Sequence, residues 1–533
     1  MGQVFDYPQE GSNVKTITTL LTASILTLSM LATTPAKAAS TWQDYLQTTT
    51  TFAEQAPANP DVMVVFVPEA ETLQLPSRFS TDARNQVSRV ADVAEFTGKS
   101  GQVVEVIAPA GLDAKRLWLM GTGTELEATK AEELGATIAA KLNDKTTTVM
   151  LDANGLDAQQ VAHIAHGMDL RNYRFDRYKK EPKPRPNYAI TWQVADTTAT
   201  EQAYAQTQPL AHGVFVARDI INLPGSDGYP KAIAELAKAA AEPYGIKATI
   251  LTPEQVKELG MGSLYGVSQG SQHKAHMLIL EWQGAGNDEA PIALVGKGNT
   301  FDTGGYNLKT SGGSILRMQT DKAGGAAVIG AVMALAGQKA DVNVAGVVPL
   351  SHNLISGSAT LPGDVLIAGD GTRIEVTSTD AEGRLILADG IWYARDRLKA
   401  RAIADIATLT GSKVGALGTE YSAVFTPDET ILNAIKAAGD DTAELVWQLP
   451  LGPYDGIIDS WLADIKNTGG PGAQAGARFL QHFAQDTPWV HIDMAGNAYS
   501  ESAKGIHPAG GNGYGVRLLT EWVKQYDAAT SAD

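Results

Sequence analysis

The chain has 533 residues, enough for two or three domains that each bury a core of their own. A formal charge of −17 and a pI near 5.0 argue against nucleic acid as the main partner, and 44% hydrophobic with 19% charged residues is a soluble globular composition. Cysteine is absent, which excludes disulfides, thiol catalysis and cysteine-ligated zinc.

Residues 1–38 read as a secretory signal peptide: Lys15, then the apolar TITTLLTASILTLSMLATT, then small residues at Ala36-Lys37-Ala38. The apolar stretch is short and threonine-rich beside the roughly 20 apolar residues of a membrane span, so stable membrane insertion is not expected. The polar residues ahead of Lys15 are unusual for a leader, and translation starting at Val14 would account for them. The expectation is an exported protein, periplasmic or secreted.

From residue 40 to 180, strand-like and helix-like segments alternate. VMVVFV (62–67), RLWLMGTG (116–123) and TTTVML (146–151) read as buried strands, and TKAEELGATIAAKLN (129–143) as an amphipathic helix. YRFDRYKKEPKPRPNY (173–188), a charge run with three prolines, reads as a solvated connecting loop. Helices follow over 201–222 and 230–245, the second with Pro at its start and Gly at its end. Then come the strand KATIL, a short helix capped by Thr252, the strands HMLILEW and PIALVG, and helices near 321–338 and 383–398 alternating with VNVAGVVPL and AIADIATL. This order predicts an α/β fold: a smaller N-terminal α/β domain (39–200) and a larger C-terminal α/β catalytic domain (201–533) with a mixed central sheet flanked by helices.

Chemistry-bearing residues gather in the C-terminal part. In LVGKGNTFDTGGYNLK (294–309) an apolar strand runs out at Gly296, and Lys297, Asp302 and Lys309 follow in what reads as a Gly-rich loop, where α/β sheets bind ligands. Asp321 heads a small-residue helix; by itself it reads more readily as a helix cap than as a functional acid. In TSTDAEGRL (377–385), an extended backbone would turn Asp380, Glu382 and Arg384 to one side. Four carboxylates at strand ends and helix starts call for a multivalent cation, and two divalent ions about 3.5–4 Å apart could clamp a water and a carbonyl oxygen. An all-oxygen set suits Mg²⁺ or Mn²⁺; a neutral lysine amine as additional ligand favours Zn²⁺, Mn²⁺ or Co²⁺. The nine histidines form no HExxH, and the pairs His163/His166 and His273/His276 read as surface or satisfied residues. GVSQG (266–270) matches the nucleophile-elbow pattern, but a strand rather than a helix follows it. VGKGNT lacks the spacing of a phosphate loop.

VGKGNTFDTGGYNLK, MQTDKAGGAAV and STDAEGRLILADG resemble the metal-site segments of the leucyl aminopeptidase family of di-zinc or di-manganese exopeptidases, and ARDIINLPG, ATLTGSKVGALG, ADIKNTGG and WVHIDMAGNAY resemble its other landmarks in order. The resemblance implies Asp302 and Glu382 as bridges between two metals, Lys297 and Asp321 at the tighter site, and Asp380 at the more exchangeable one. It further implies that Lys309 polarises the scissile carbonyl and that Arg384 holds a bicarbonate acting as general base. The Leu409 backbone would orient the substrate, and Met318 would line an apolar pocket for the N-terminal side chain. Peptides are the implied substrates, with a leucine-like preference, and a homo-hexamer is the implied assembly. Four departures stand out: Ser378 where the family has Asn, one extra residue between Lys309 and Asp321, Lys322 in place of an apolar residue, and a signal peptide in a mostly cytosolic family. The alternatives are a catalytically inactive binding relative and a serine esterase using Ser268.

Overall fold

The computed structural model describes Tyr45 and residues 48–55, 57–143, 145–183 and 187–531. Residues 1–38, where the leader and the alternative start were read, lie outside the described residues.

The first sheet has six strands: β1 (Thr49–Ala53), β2 (Val62–Pro68), β3 (Val103–Ile107), β4 (Arg116–Gly123), β5 (Thr148–Asp152) and β6 (Ala189–Gln193). They lie in the order β1-β6-β5-β2-β4-β3, all parallel except β3. Alternation along β2 sorts its side chains: Val62 and Val64 join one core with the Ala128–Lys141 and Ala158–Asn172 helices, while Met63 and Val65 join another with Thr81–Val93.

The larger sheet contains β7 (Lys247–Leu251), β8 (His276–Gln283), β9 (Ile292–Gly296), β10 (Gly298–Asp302) and β11 (Asn343–Asn353). After β12 (Val365–Ile367) and β13 (Arg373–Glu375) it continues with β14 (Ala402–Ala407), β15 (Ser422–Phe425) and β16 (Val446–Gln448), and, after β17 (Ile465–Lys466), with β18 (Trp489–Asp493). The order is β16-β15-β18-β14-β9-β11-β8-β7, with β10 paired to the end of β11; β12, β13 and β17 form a small sheet of their own. The four central strands β18, β14, β9 and β11 run parallel, and β7, β8 and β15 supply the antiparallel neighbours that make the sheet mixed. Both faces of the centre are covered. Leu278, Leu294 and Ile406 pack under the Ala323–Gly337 helix on one face, and Ile279, Val295 and Ile403 under the Glu382–Trp392 helix on the other.

The sequence reading and the structure part at a few places. Gly298–Asp302, read as loop, is a strand, because the end of β11 offers it a partner beyond the last residue of β9. Asp380, Glu382 and Arg384 do not share an extended backbone: the helix already begins at Glu382, so Asp380 is left in an exposed turn while Glu382 and Arg384 are buried in the first helical turn. Asp321 caps nothing, since the following helix starts at Ala323. His166 is neither at the surface nor satisfied: it is buried with both ring nitrogens lacking partners among the described residues. Among the described residues, no helix is long and apolar enough to cross a membrane.

Candidate metal centre

The carboxyl ends of β9, β14, β11 and β18 meet at one point. β9 runs out into Lys297, whose amide is tied across to the Ile406 carbonyl at 3.0 Å. The Lys297 side chain is 3% exposed; its Nζ donates to Asp321 Oδ1 (2.7 Å) and to the Thr408 carbonyl (2.9 Å) and lies 2.9 Å from Glu382 Oε1. The approach explains Gly383: a Cβ there would stand 2.5 Å from Lys297 Cε.

Asp302, Asp321 and Glu382 are all buried, and each offers an oxygen within 4.8 Å of the others. Asp302 Oδ1 accepts from the Gly304 amide and from Asn353 Nδ2, both at 2.8 Å, and its Oδ2 lies 2.9 Å from Lys309 Nζ. Lys309 also pairs with Asp380, which stands at the rim of the cleft. Gly304 permits this turn: its φ is +87°, and a Cβ there would stand 2.8 Å from Asp380 Oδ1.

The electrostatics are those of crowded acids held by two ammonium groups. Burial and the neighbouring Glu382 push Asp302 up to about 7, against the pull of Lys309 and Lys297. Burial likewise raises Asp321. Burial alone would lower Lys297, but Asp321, Glu382 and Asp302 together push it up. Arg384 is lowered to about 10 by burial, with Glu382 and Asp493 opposing, and its Nε has no hydrogen-bond partner among the described residues. Four carboxyl groups face two lysines here, so the acids outnumber the ammonium groups that can balance them. The three buried carboxylates fit divalent cations, and Lys297 could join them as a ligand only by giving up its proton when a cation takes over its role of balancing the acids.

The structure thus brings Lys297, Asp302, Asp321 and Glu382 into one cage, with Lys309 and Asp380 at its rim and Arg384 one step into the helix behind it. Leu409 follows Thr408 in the turn that faces Lys297, and its side chain packs by Gly476, close to Arg384 Nη2. Met318 is half-buried in the short turn before Asp321. Lys322 points away from the acids: it is buried, donates to the Leu223 carbonyl (2.8 Å) and the Gln319 carbonyl, and is lowered to about 7 by burial. Ser268 is fully buried at the end of the Gly262–Ser268 helix, its Oγ accepting from the Ala275 amide at 2.8 Å. It has neither the exposure nor the strand-turn-helix setting of a nucleophile.

Several residues escaped the sequence reading. Asn299 Nδ2 donates to Asp321 Oδ2 and Glu382 Oε1, both at 3.1 Å, and Ser351 Oγ orients its amide by donating to Oδ1. Thr408 Oγ1 donates to Asp321 Oδ1 at 2.8 Å. Asn467 shapes the acidic turn from a distant segment, accepting from the Thr377 amide (2.9 Å) and donating to the Ser378 carbonyl (2.7 Å). Asp493 ends β18 as a buried acid at a strand's carboxyl end, the pattern that had drawn attention to the loop after β9, and so it was open to detection.

The chain is similar to known proteins along most of its length. Residues 215–520 match the model of the cytosol aminopeptidase family catalytic domain, and residues 63–182 that of its N-terminal domain. A probable cytosol aminopeptidase of Shewanella oneidensis is 42% identical over 476 residues, 88% of this chain and 94% of the relative. One from Afipia carboxidovorans is 40% identical, covering 89% and 97%. Among solved structures, a tomato leucine aminopeptidase variant superposes with a TM-score of 0.79 at 29% identity, over 92% of this chain and 98% of that one. The bottromycin maturation enzyme BotP in complex with Mn gives 0.76 at 29% identity, over 87% and 99%. These findings overturn the expectation of export: the relatives are named cytosol aminopeptidases, which points to a cytoplasmic protein.

Proposed function

The chain belongs to the cytosol aminopeptidase family of peptide-bond hydrolases, and on that premise we propose that it removes N-terminal residues from peptides, with a leucine-like preference, by a two-metal mechanism. Lys297, Asp302, Asp321, Asp380 and Glu382 would hold two divalent ions, Zn²⁺ or Mn²⁺. The observation that carries this reading is the cage itself: three buried carboxylate oxygens within 4.8 Å of one another, interleaved with lysine. Bound there, the cations would supply Lewis acidity toward water and the scissile carbonyl, and a bicarbonate on Arg384 would supply a proton acceptor.

The chain's own residues do the rest. Lys309 keeps its charge between Asp302 and Asp380 and donates to the carbonyl oxygen as negative charge grows on it. Arg384 has an unpartnered Nε and a glycine, Gly476, opposite its Nη2, which supports its holding a small anion. The Leu409 backbone orients the peptide, and Met318 lines the pocket for its first side chain. Residues 39–200 serve as the accessory domain and 201–533 as the catalytic one. The implied homo-hexamer is supported by the apolar Trp461, 87% exposed, and the neighbouring exposed Leu462.

The test is hydrolysis of leucine p-nitroanilide with and without a chelator, by wild type and Asp380→Ala. Chelation should abolish turnover, Mn²⁺ or Zn²⁺ should restore it, and Asp380→Ala should lose on the order of 100-fold in kcat/KM. Chelator-resistant activity or an unimpaired Asp380→Ala overturns the two-metal mechanism, and no turnover with either metal favours an inactive relative.

A further inference from the structure

The turn Thr408–Thr410 joins β14 to the Gly411–Leu417 helix, and two sides grip it. On one side are the cage residues: Lys297 Nζ donates to the Thr408 carbonyl (2.9 Å), and Thr408 Oγ1 donates to Asp321 (2.8 Å). On the other side stands one carboxylate, Asp493, fully buried at the end of β18. Its Oδ1 accepts from the amides of Leu409 (3.1 Å), Thr410 (3.4 Å) and Ala495 (3.1 Å), and its Oδ2 accepts from Thr410 Oγ1 (2.6 Å). Among the described residues it forms no ion pair; Arg384 and Lys413 are the cations whose fields it meets.

A buried carboxylate is costly unless its lone pairs are taken up, and here all four bonds come from two short turns, three from backbone amides and one from the Thr410 hydroxyl. A trans peptide points its N–H and C=O in opposite directions. With the Leu409 amide drawn to Asp493, the Thr408 carbonyl must point away, and it does, onto Lys297 Nζ. With the Thr410 amide drawn the same way, the Leu409 carbonyl is likewise turned away from Asp493. Thr410 Oγ1 also accepts from the Lys413 amide (3.3 Å), so one hydroxyl both caps the following helix and binds Asp493.

We propose that Asp493 is the positioning residue of the substrate-facing turn: it sets the direction of the Thr408 and Leu409 carbonyls and places a negative charge behind Arg384. This rests on the aminopeptidase reading for its catalytic consequence, but the tether itself can be read without turnover.

The experiment compares full-length wild type with Asp493→Asn, Thr410→Val and Thr410→Ser. Three readouts are taken: hydrogen–deuterium exchange, Mn²⁺ binding by titration calorimetry, and kcat and KM on leucine p-nitroanilide. Asp493→Asn and Thr410→Val should speed exchange at least tenfold in the peptide containing Leu409 and Thr410, leaving peptides around Asn299 and Glu382 protected. Mn²⁺ affinity should stay within threefold of wild type, while kcat falls at least tenfold and KM shifts less. Thr410→Ser, which keeps the hydroxyl, should recover most of what Thr410→Val loses. Unchanged exchange in both variants overturns the proposal. So does faster exchange with wild-type kcat, or a loss of Mn²⁺ binding parallel to the loss of kcat, which would make the role merely structural. If Asp493→Asn does not fold, the Thr410 pair decides. A wild type without turnover overturns the aminopeptidase reading instead, and exchange alone then judges the tether.

Discussion

Single residues carry the chemistry here because burial alters what their charges cost. Asp302 and Asp321 are raised by burial and by the neighbouring Glu382, and the two lysines pull against that rise. Burial has the same effect far from the site on Asp169, which it raises to about 7, with only the Tyr204 hydroxyl, donating at 2.7 Å, opposing. Folded, Asp169 keeps its proton to about pH 7, whereas an unfolded chain releases it near 3.8. The stability it contributes is therefore complete below pH 3.8 and lost as pH rises to 7. Asp169→Asn, which still accepts from Tyr204, should raise the melting temperature at pH 8 by a few degrees, on the order of 4 kcal/mol, and leave it nearly unchanged at pH 4. Scanning calorimetry at both pH values checks this, and an equal shift at the two would show that the charge is not the cause.

At the scale of elements, the positions of the functional residues depend on close approaches that only glycine allows. The Thr197–Asn222 and Ala323–Gly337 helices cross with Gly213 against Gly330, and a Cβ on Gly330 would stand 2.5 Å from the Gly213 carbonyl oxygen. Gly330→Ala should force the helices apart at a cost of about 1–3 kcal/mol, seen as a lower melting temperature. Gly312→Ala, where nothing lies within 4 Å, should be neutral in the same measurement. Elements with strong apolar patterns, such as β4 and β9, were legible from sequence because burial on both faces leaves an unbroken hydrophobic run. β10 was not, since GNTFD has polar residues and a glycine and becomes a strand only through the end of β11. The acids were likewise legible as residues, but their relative directions were not. The helix start at Glu382 separates Glu382 from Asp380, and no local signal said which side each would face.

Across the whole molecule, arginines fasten the N-terminal layer to the catalytic one. Arg218 donates to the Leu170 carbonyl (2.6 Å), and to Ile506 (3.1 Å) and Asn512 (3.0 Å), while Arg171 reaches the Gly505 carbonyl (3.0 Å). Arg517 pairs with Glu132, both buried. Burial alone would raise Glu132, but Arg517 and the His163 contact pull it down to about 2. Its contribution is thus present above pH 4.5 and lost as pH falls from there to 2. Arg517→Met strands the carboxylate and should cost about 3–5 kcal/mol at pH 7, with a smaller loss at pH 3, where the carboxyl can take up a proton. Denaturant unfolding at the two pH values measures the difference; equal losses would mean that Arg517 acts by packing alone.

The sequence by itself determined the α/β class, the family resemblance and the residue types of the cage, because hydrophobic periodicity and the spacing of acids and lysines are local properties of the chain. Tertiary structure alone decided that β10 exists and that Asn299, Thr408 and Asn467 orient the acids. It also decided that Asp380 stands at the rim while Glu382 lies inside, and that Asp493 binds the turn opposite the cage. Each of these depends on strand ends brought together from segments far apart in the chain, and on buried polar groups finding partners there.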